Sequence, residues 1–486
     1  MSRRTAFIDT AVEAFRGRLE ETLKQMSEAR DAASFCASER QLHALALELT
    51  ASLTQDVLQR VSKRKTRRSE ALEAVRAKAA GRGLQMRNER DRVTKVRTLG
   101  GQVIEVKTPY ATARPRAGPA LTTRGPQGTG VYPVLDQLGI AGRSTPALRL
   151  LVSRSVAEAN SVSSARDLLL STGLKLDHKA ALRLTYLVCD DALRARSRAV
   201  RATPSGVDGG EFAGRRVVVA VDGGRVNIRR RVAGRPKKGG RKRFETEWRE
   251  PKVLTIYVLG EDGKRDRKVS SVLDGTFGGA DEVFALMRYH LRRRGVHQAA
   301  ELALAGDGAV WIWNRAASLR EDLKLPEERF HEIVDYFHAV ERLGDFAKSR
   351  AEWDEDYRRG WVKTQKQRLK AGDIESIEAV FRRIAERDPK PLEKELEYWA
   401  RNRERLRFAH FRQHGLPNGS GAVESAVRRV VNLRMKGASI AWTEEHAEGI
   451  LHLRAHAKSG RWNELEDTVL TNTGWRPTAR QPRTAK

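Results

Sequence analysis

At 486 residues the chain is too long for one compact core, and its 40% hydrophobic content can build several. Lys and Arg number 92 against 62 acidic residues, a formal net charge of +30. An excess of that size points to a polyanion, with nucleic acid the favoured partner, because neutralised phosphates release condensed counterions. No run is long and apolar enough to span a membrane. Only Cys36 and Cys189 are present, which excludes a disulfide framework and a cysteine-rich zinc site. The N-terminal stretch lacks the apolar centre of a secretory signal, so a cytoplasmic protein associated with DNA is expected.

Residues 1–58 carry apolar positions at helical spacing and are predicted as a helical region. Residues 59–130 form a basic segment. Within it, VTKVRTLGGQVIEVKTPY predicts a hairpin turning at Gly100-Gly101, and 111–130, rich in Gly, Pro and Thr, a linker. In 131–205, Thr145-Pro146 is a helix start. Ser164–Ser171, a turn at Gly173 and a helix capped by Asp177 then have helix-turn-helix shape. The texture changes at Gly206. RRVVVAVDGGRV, VLTIYVLGEDGKRDRKVSSVL, AELALAGDG and HEIVDYF are strand-like runs around a helix over 281–294, so 206–345 is predicted as an α/β core. A highly charged helical region follows over 346–412, with Trp353, Trp361 and Trp399 read as packing residues. In 413–460, Ser420 is expected to cap a helix that ends at Gly437. Residues 461–486 are predicted as a basic tail.

Two of the strand-like runs end in Asp followed by Gly, at Asp222 and Asp307. Functional groups gather at strand ends in open α/β sheets. Adjacent carboxylates repel unless a cation is bound. Mg²⁺ (or Mn²⁺) suits carboxylate oxygens, and a pair of ions serves both the attacking and the leaving oxygen of a phosphodiester. A third carboxylate is then needed, and Glu424 is the candidate: GSG turns the chain into its helix, and Arg428 and Arg429 follow one turn on, placed to contact DNA phosphate. Paired with Arg428 alone, Glu424 would be an ordinary surface residue. The run RRRVAGRPKKGGRKR over 229–243 holds nine basic residues in fifteen. It predicts a basic loop contacting the DNA backbone through Arg229, Arg230, Arg231, Lys237, Lys238, Arg241, Lys242 and Arg243.

VAVDGGRV, GDGAVWIWN, IVDYFHAVERL and LPNGSGAVESAVRRVVNLRMKG together resemble the ISKra-type insertion-sequence transposases, relatives of the Mutator-like DDE enzymes, over about residues 130–462. The resemblance implies a ribonuclease-H-like core with Asp222, Asp307 and Glu424 as catalytic metal ligands. It also implies a helical insertion before Glu424. The helical patterns N-terminal to the core are expected to form an all-α DNA-binding region. Asp335 and His338 match the family's Asp-x-x-His signature, either as accessory ligands or as a satisfied pair that orients the strand. The family's paired cysteines are missing from TPYATARPRAGPALTTRGPQ. The implied activity is cleavage at terminal inverted repeats and strand transfer to target DNA, by a homo-oligomer. A ribonuclease-H-like nuclease without strand transfer and a transposase-derived DNA-binding regulator are the alternatives.

Overall fold

A computed structural model describes residues 5–115, 130–202, 209–234, 243–387, 392–437 and 440–475. The chain is mixed α/β and divides into two compact units, Met1–Ala192 with Glu466–Lys486, and Leu193–Leu465. Among the described residues no helix is long and apolar enough to cross a membrane.

The first unit opens with three helices, α1 (Thr5–Ser27), α2 (Ala32–Lys63) and α3 (Lys65–Ala80). Apart from Arg64, which joins α2 to α3, the basic residues of 60–80 therefore lie on helices. The predicted hairpin forms from β1 (Leu84–Arg97) and β2 (Val103–Pro115), with Arg97 opposite Val103 and Gly101 at φ 87° in the turn. Strand β2 continues through 111–115, so the linker begins later than its composition suggested. β3 (Gly130–Val131) pairs with β2, and α4 (Pro133–Gln137), α5 (Pro146–Glu158), α6 (Val162–Ser171) and α7 (His178–Ala202) follow. Pro146 starts α5, Ser161 caps α6, and the Asp177 carboxylate accepts the Ala180 N–H at the start of α7.

The N-terminal region expected to be all-α contains the β1-β2-β3 sheet, because the apolar faces of α2 and α3 pack on it, and its three expected parts share cores instead of standing apart. Ala51 and Leu58 of α2 pack with Val96, Ile104 and Val106 of the hairpin and Leu135 of α4. Val75 and Ala79 of α3 pack with Leu84, Ala113, Val131 and Trp475. The expected tail over 461–486 is likewise corrected. Residues Trp462–Asn472 form an amphipathic helix, and Trp475 is buried, because its indole fills apolar space that the N-terminal elements leave. Residues 476–486 lie outside the described residues.

The second unit is built on a five-stranded sheet of β4 (Arg216–Gly223), β7 (Lys252–Leu259), β8 (Val272–Thr276), β9 (Glu301–Gly306) and β10 (Phe330–Val334), in the order β10-β9-β4-β7-β8. Strand β7 runs antiparallel to β4 and β8; β9 and β10 run parallel to β4. The near-continuous Val/Ile/Leu/Ala runs of β4, β7 and β9 are buried, as expected of central strands covered on both faces. β5 (Val226–Arg231) and β6 (Phe244–Arg249) form a separate two-stranded ribbon.

Helix α8 (Ala280–Arg293) packs on β7 and β8; α9 (Val310–Trp313) and α10 (Ala316–Asp322) lead into β10. Then come α11 (Tyr336–Ser349), α12 (Glu355–Ala371), α13 (Ile374–Ala385), α14 (Glu393–Arg401), α15 (Phe408–Gln413), α16 (Gly421–Val427) and α17 (Glu444–Ser459). Trp353, Trp361 and Trp399 form an aromatic cluster with Phe346 and Phe381, which supports the packing reading of the helical region. Asp274 of β8 is a buried tie-point, accepting from His290 of α8 at 2.9 Å, Arg196 at 2.8 Å and His452 of α17 at 3.1 Å.

Candidate active site

The parallel register of β4 and β9 pairs Ala220 with Ala305. Asp222 and Asp307 each follow their paired alanine by two residues, so the two aspartates leave neighbouring strands at the same level. Local bonds aim them: the Asp222 carboxylate accepts the Gly223 N–H at 2.7 Å, and Asp307 accepts the Ala309 N–H at 3.0 Å. Gly308, at φ 88°, makes the turn out of β9 that a side chain would strain.

Glu424 arrives from α16, which buries Val423, Ala426 and Val427 and packs on β4 and β7. Its carboxylate is exposed. The ends of the expected helix are corrected. Ser420 occupies the cap position but makes no side-chain cap bond, because its hydroxyl donates to Asp335 at 2.6 Å. The α-helix ends at Val427 and passes into a π-helical turn, Arg428–Asn432, ahead of Gly437.

Asp335 follows β10 and is fully buried. One oxygen accepts the Phe337 and His338 N–H groups at 2.7 and 3.1 Å, capping α11; the other accepts the N–H and the hydroxyl of Ser420. His338 Nδ1 lies 3.5 Å from the Asp335 carboxylate, and donor atoms of Asp335, His338 and Glu424 lie within 4.8 Å of one another. Asp335 is thus a satisfied residue that positions both helices, while His338 faces Glu424.

Electrostatics ties the cluster together. Burial pushes the Asp222 carboxyl above its ordinary value, and the charges of Asp307 and Glu424 add to the rise, against the Gly223 N–H and His338. The Asp335 carboxylate pushes His338 up to about 9, against the effect of burial. Burial opposes ionisation of Asp335, but its bonds to His338 and Ser420 outweigh it and hold the carboxyl well below the usual carboxylate range.

The basic run over 229–243 begins on a strand, so its first three arginines do not belong to the expected loop. Arg229–Arg231 lie on β5 and Arg243 precedes β6, while Lys237, Lys238, Arg241 and Lys242 fall outside the described residues. Arg230 pairs with Glu247 at 2.7 Å. Arg429 does not present a free guanidinium to phosphate: it donates to the Ser425 and Lys458 carbonyls and is half-buried, whereas Arg428 is exposed.

Strand pairing reveals a surface that charge counting missed. Arg229, Arg231, Asn227, Phe244, Thr246 and Trp248 share one ribbon face, and Phe244 and Trp248 are each 52% exposed. The other face buries Val226 and Ile228. The signal was present in the alternation of FETEWR, whose register only the pairing settles. Trp311 and Trp313 sit on the helical turn α9, with Trp313 buried and Lys252 lying over Trp311 at 5.0 Å.

Compared with known proteins, the chain matches no family model, no curated protein and no solved structure.

Proposed function

We propose that the chain is a DNA transposase of the DDE type, with a ribonuclease-H-like core formed by β4, β7, β8, β9 and β10. The observation that carries this reading is that Asp222 and Asp307 leave adjacent parallel strands at the same level, with Glu424, on a helix packed on β4 and β7, near enough for its charge to act on Asp222, although the donor atoms of the three do not all lie within 4.8 Å of one another. Their mutual influence on Asp222 supports it. So does the sheet order: an antiparallel meander of three strands, extended on the side of β4 by two parallel ones.

Oxygen-only donors, and a carboxylate raised by burial with its neighbours' charges adding to the rise, fit Mg²⁺ or Mn²⁺. Asp222, Asp307 and Glu424 would hold two such ions, which when bound supply the charge that activates the attacking oxygen and stabilises the leaving oxygen of a phosphodiester. The protein's own part is positional. The backbone bonds of Gly223 and Ala309 orient the two aspartates, and Asp335 anchors the turn that delivers Glu424.

DNA would be held by the basic-aromatic ribbon face, exposed Arg428, and the α6–α7 pair, whose second helix exposes Lys179 and Arg183 near its start. Base-specific contacts are assigned to α7 and phosphate contacts to the ribbon and to 60–97. A homo-oligomer would be needed to bring two element ends together.

The test is a cleavage and joining assay on terminal-repeat DNA with Mg²⁺. Cut and joined products support the transposase; cut products without joining favour a nuclease; binding with intact DNA favours a regulator.

A further inference from the structure

Glu301 opens β9 and His331 is the second residue of β10. Both lie at the strand ends opposite Asp307 and Asp335, about five residues along, on the order of 16 Å away. Over them comes the end of α15, where His410 and His414 are spaced i,i+4 on one face. The His414 Nδ1 lies 3.1 Å from Glu301 Oε1, and His331 Nε2 lies 3.8 Å from Glu301 Oε2. The His331 and His414 rings are 5.3 Å apart, those of His410 and His414 4.4 Å.

Two atoms in this cluster are buried without a hydrogen-bond partner: His331 Nε2, on a residue only 9% exposed, and Glu301 Oε2. Their separation is too long for a hydrogen bond. Leaving such groups unmatched costs about 1–3 kcal/mol each, so an arrangement that presents both to the same point calls for a ligand. A tetrahedral zinc ion with arms of about 2.0–2.1 Å holds its donors about 3.4 Å apart, and the two observed separations bracket that spacing. The backbone is set as well, since Arg216 at the start of β4 donates to the His414 carbonyl at 3.1 Å.

We propose that Glu301, His331 and His414 form a zinc site, with His410 flanking the fourth position. Strand β10 is an edge of the sheet. Zinc there clamps the last helix of the helical region, α15, to the sheet edge, at the opposite end of the strands from the carboxylate triad. Two nitrogens and one carboxylate oxygen suit zinc over magnesium, which prefers all-oxygen sites.

The test uses the full chain, stripped with chelator, then given Zn²⁺ in the presence of excess Mg²⁺ to occupy the carboxylate triad. Zinc retained after gel filtration is measured by atomic emission, and thermal unfolding is followed with and without Zn²⁺. The wild type is expected to retain one more zinc per chain than Glu301→Gln or His414→Ala. Its Tm should rise with zinc, and each variant should bind at least about tenfold more weakly. Glu301→Gln keeps side-chain size, and its zinc-free melting checks that the fold survives. Equal zinc content in all three proteins, or a wild-type Tm indifferent to zinc, overturns the site.

Discussion

The hydroxyl of Ser420 donates to the Asp335 carboxylate at 2.6 Å, and through that bond the turn before Glu424 is tied to the residue that caps α11. Both groups are buried, so the bond is charge-assisted and shielded from water. Ser420→Ala is expected to cost about 1–3 kcal/mol, read as a lower urea midpoint, and to reduce cleavage more than DNA binding. Unchanged stability would mean that the turn is held by other contacts.

Substitution within the triad should separate chemistry from folding. The folded-state value of Asp222 is raised, so above it the ionised carboxylate works against the fold. Asp222→Asn is therefore expected to hold or slightly raise Tm at neutral pH, while DNA cleavage falls by orders of magnitude and binding persists. Asp307→Asn and Glu424→Gln should likewise abolish cleavage. A Glu424→Gln protein that cuts at the wild-type rate would remove Glu424 from the site.

The ribbon face provides a different readout. Trp248→Ala and Phe244→Ala remove rings that are half in solvent, so folding should be unaffected. If the rings stack on exposed bases, each substitution should weaken binding to single-stranded or distorted DNA by about 1–3 kcal/mol. Arg229→Ala with Arg231→Ala should weaken binding to every sequence and lower the salt slope by about two. Fluorescence anisotropy across salt concentrations measures both effects, and wild-type affinity in the aromatic variants would leave stacking out.

Acid should unfold the second unit through its buried histidines. Burial pushes His290 and His456 down to about 4, against about 6.5 in an unfolded chain. Between those values the unfolded chain binds protons that the folded one does not, so stability falls as pH drops from about 6.5 to about 4. A loss on the order of 1–3 kcal/mol per histidine is expected. Urea midpoints across that range measure it, and a flat profile would show that both rings are charged in the fold.

The sequence discloses those features whose physics is local. A β-branched run ending in Asp-Gly marks the ends of β4 and β9 before any pairing is known, and Ser, Pro and Asp at helix starts mark α5, α6 and α7. What it hides depends on partners distant in the chain. Ser420 reads as a helix cap until Asp335, 85 residues earlier, claims its hydroxyl. Arg429 reads as a phosphate contact until the Lys458 carbonyl takes its guanidinium. The Glu301–His331–His414 cluster joins three elements, and its members show no motif spacing in the sequence.

Trp475 fills the core of the N-terminal unit beside Val75 and Ala79, and its backbone N–H donates to Asp136. That unit consequently needs residues from the far end of the polypeptide. During synthesis its apolar centre stays incomplete until the ribosome has passed the whole of the second unit, which can fold first although it is made later. A fragment ending near residue 205 would expose the space meant for Trp475 and should aggregate, whereas the same fragment supplied with residues 466–475 through a short linker should stay in solution.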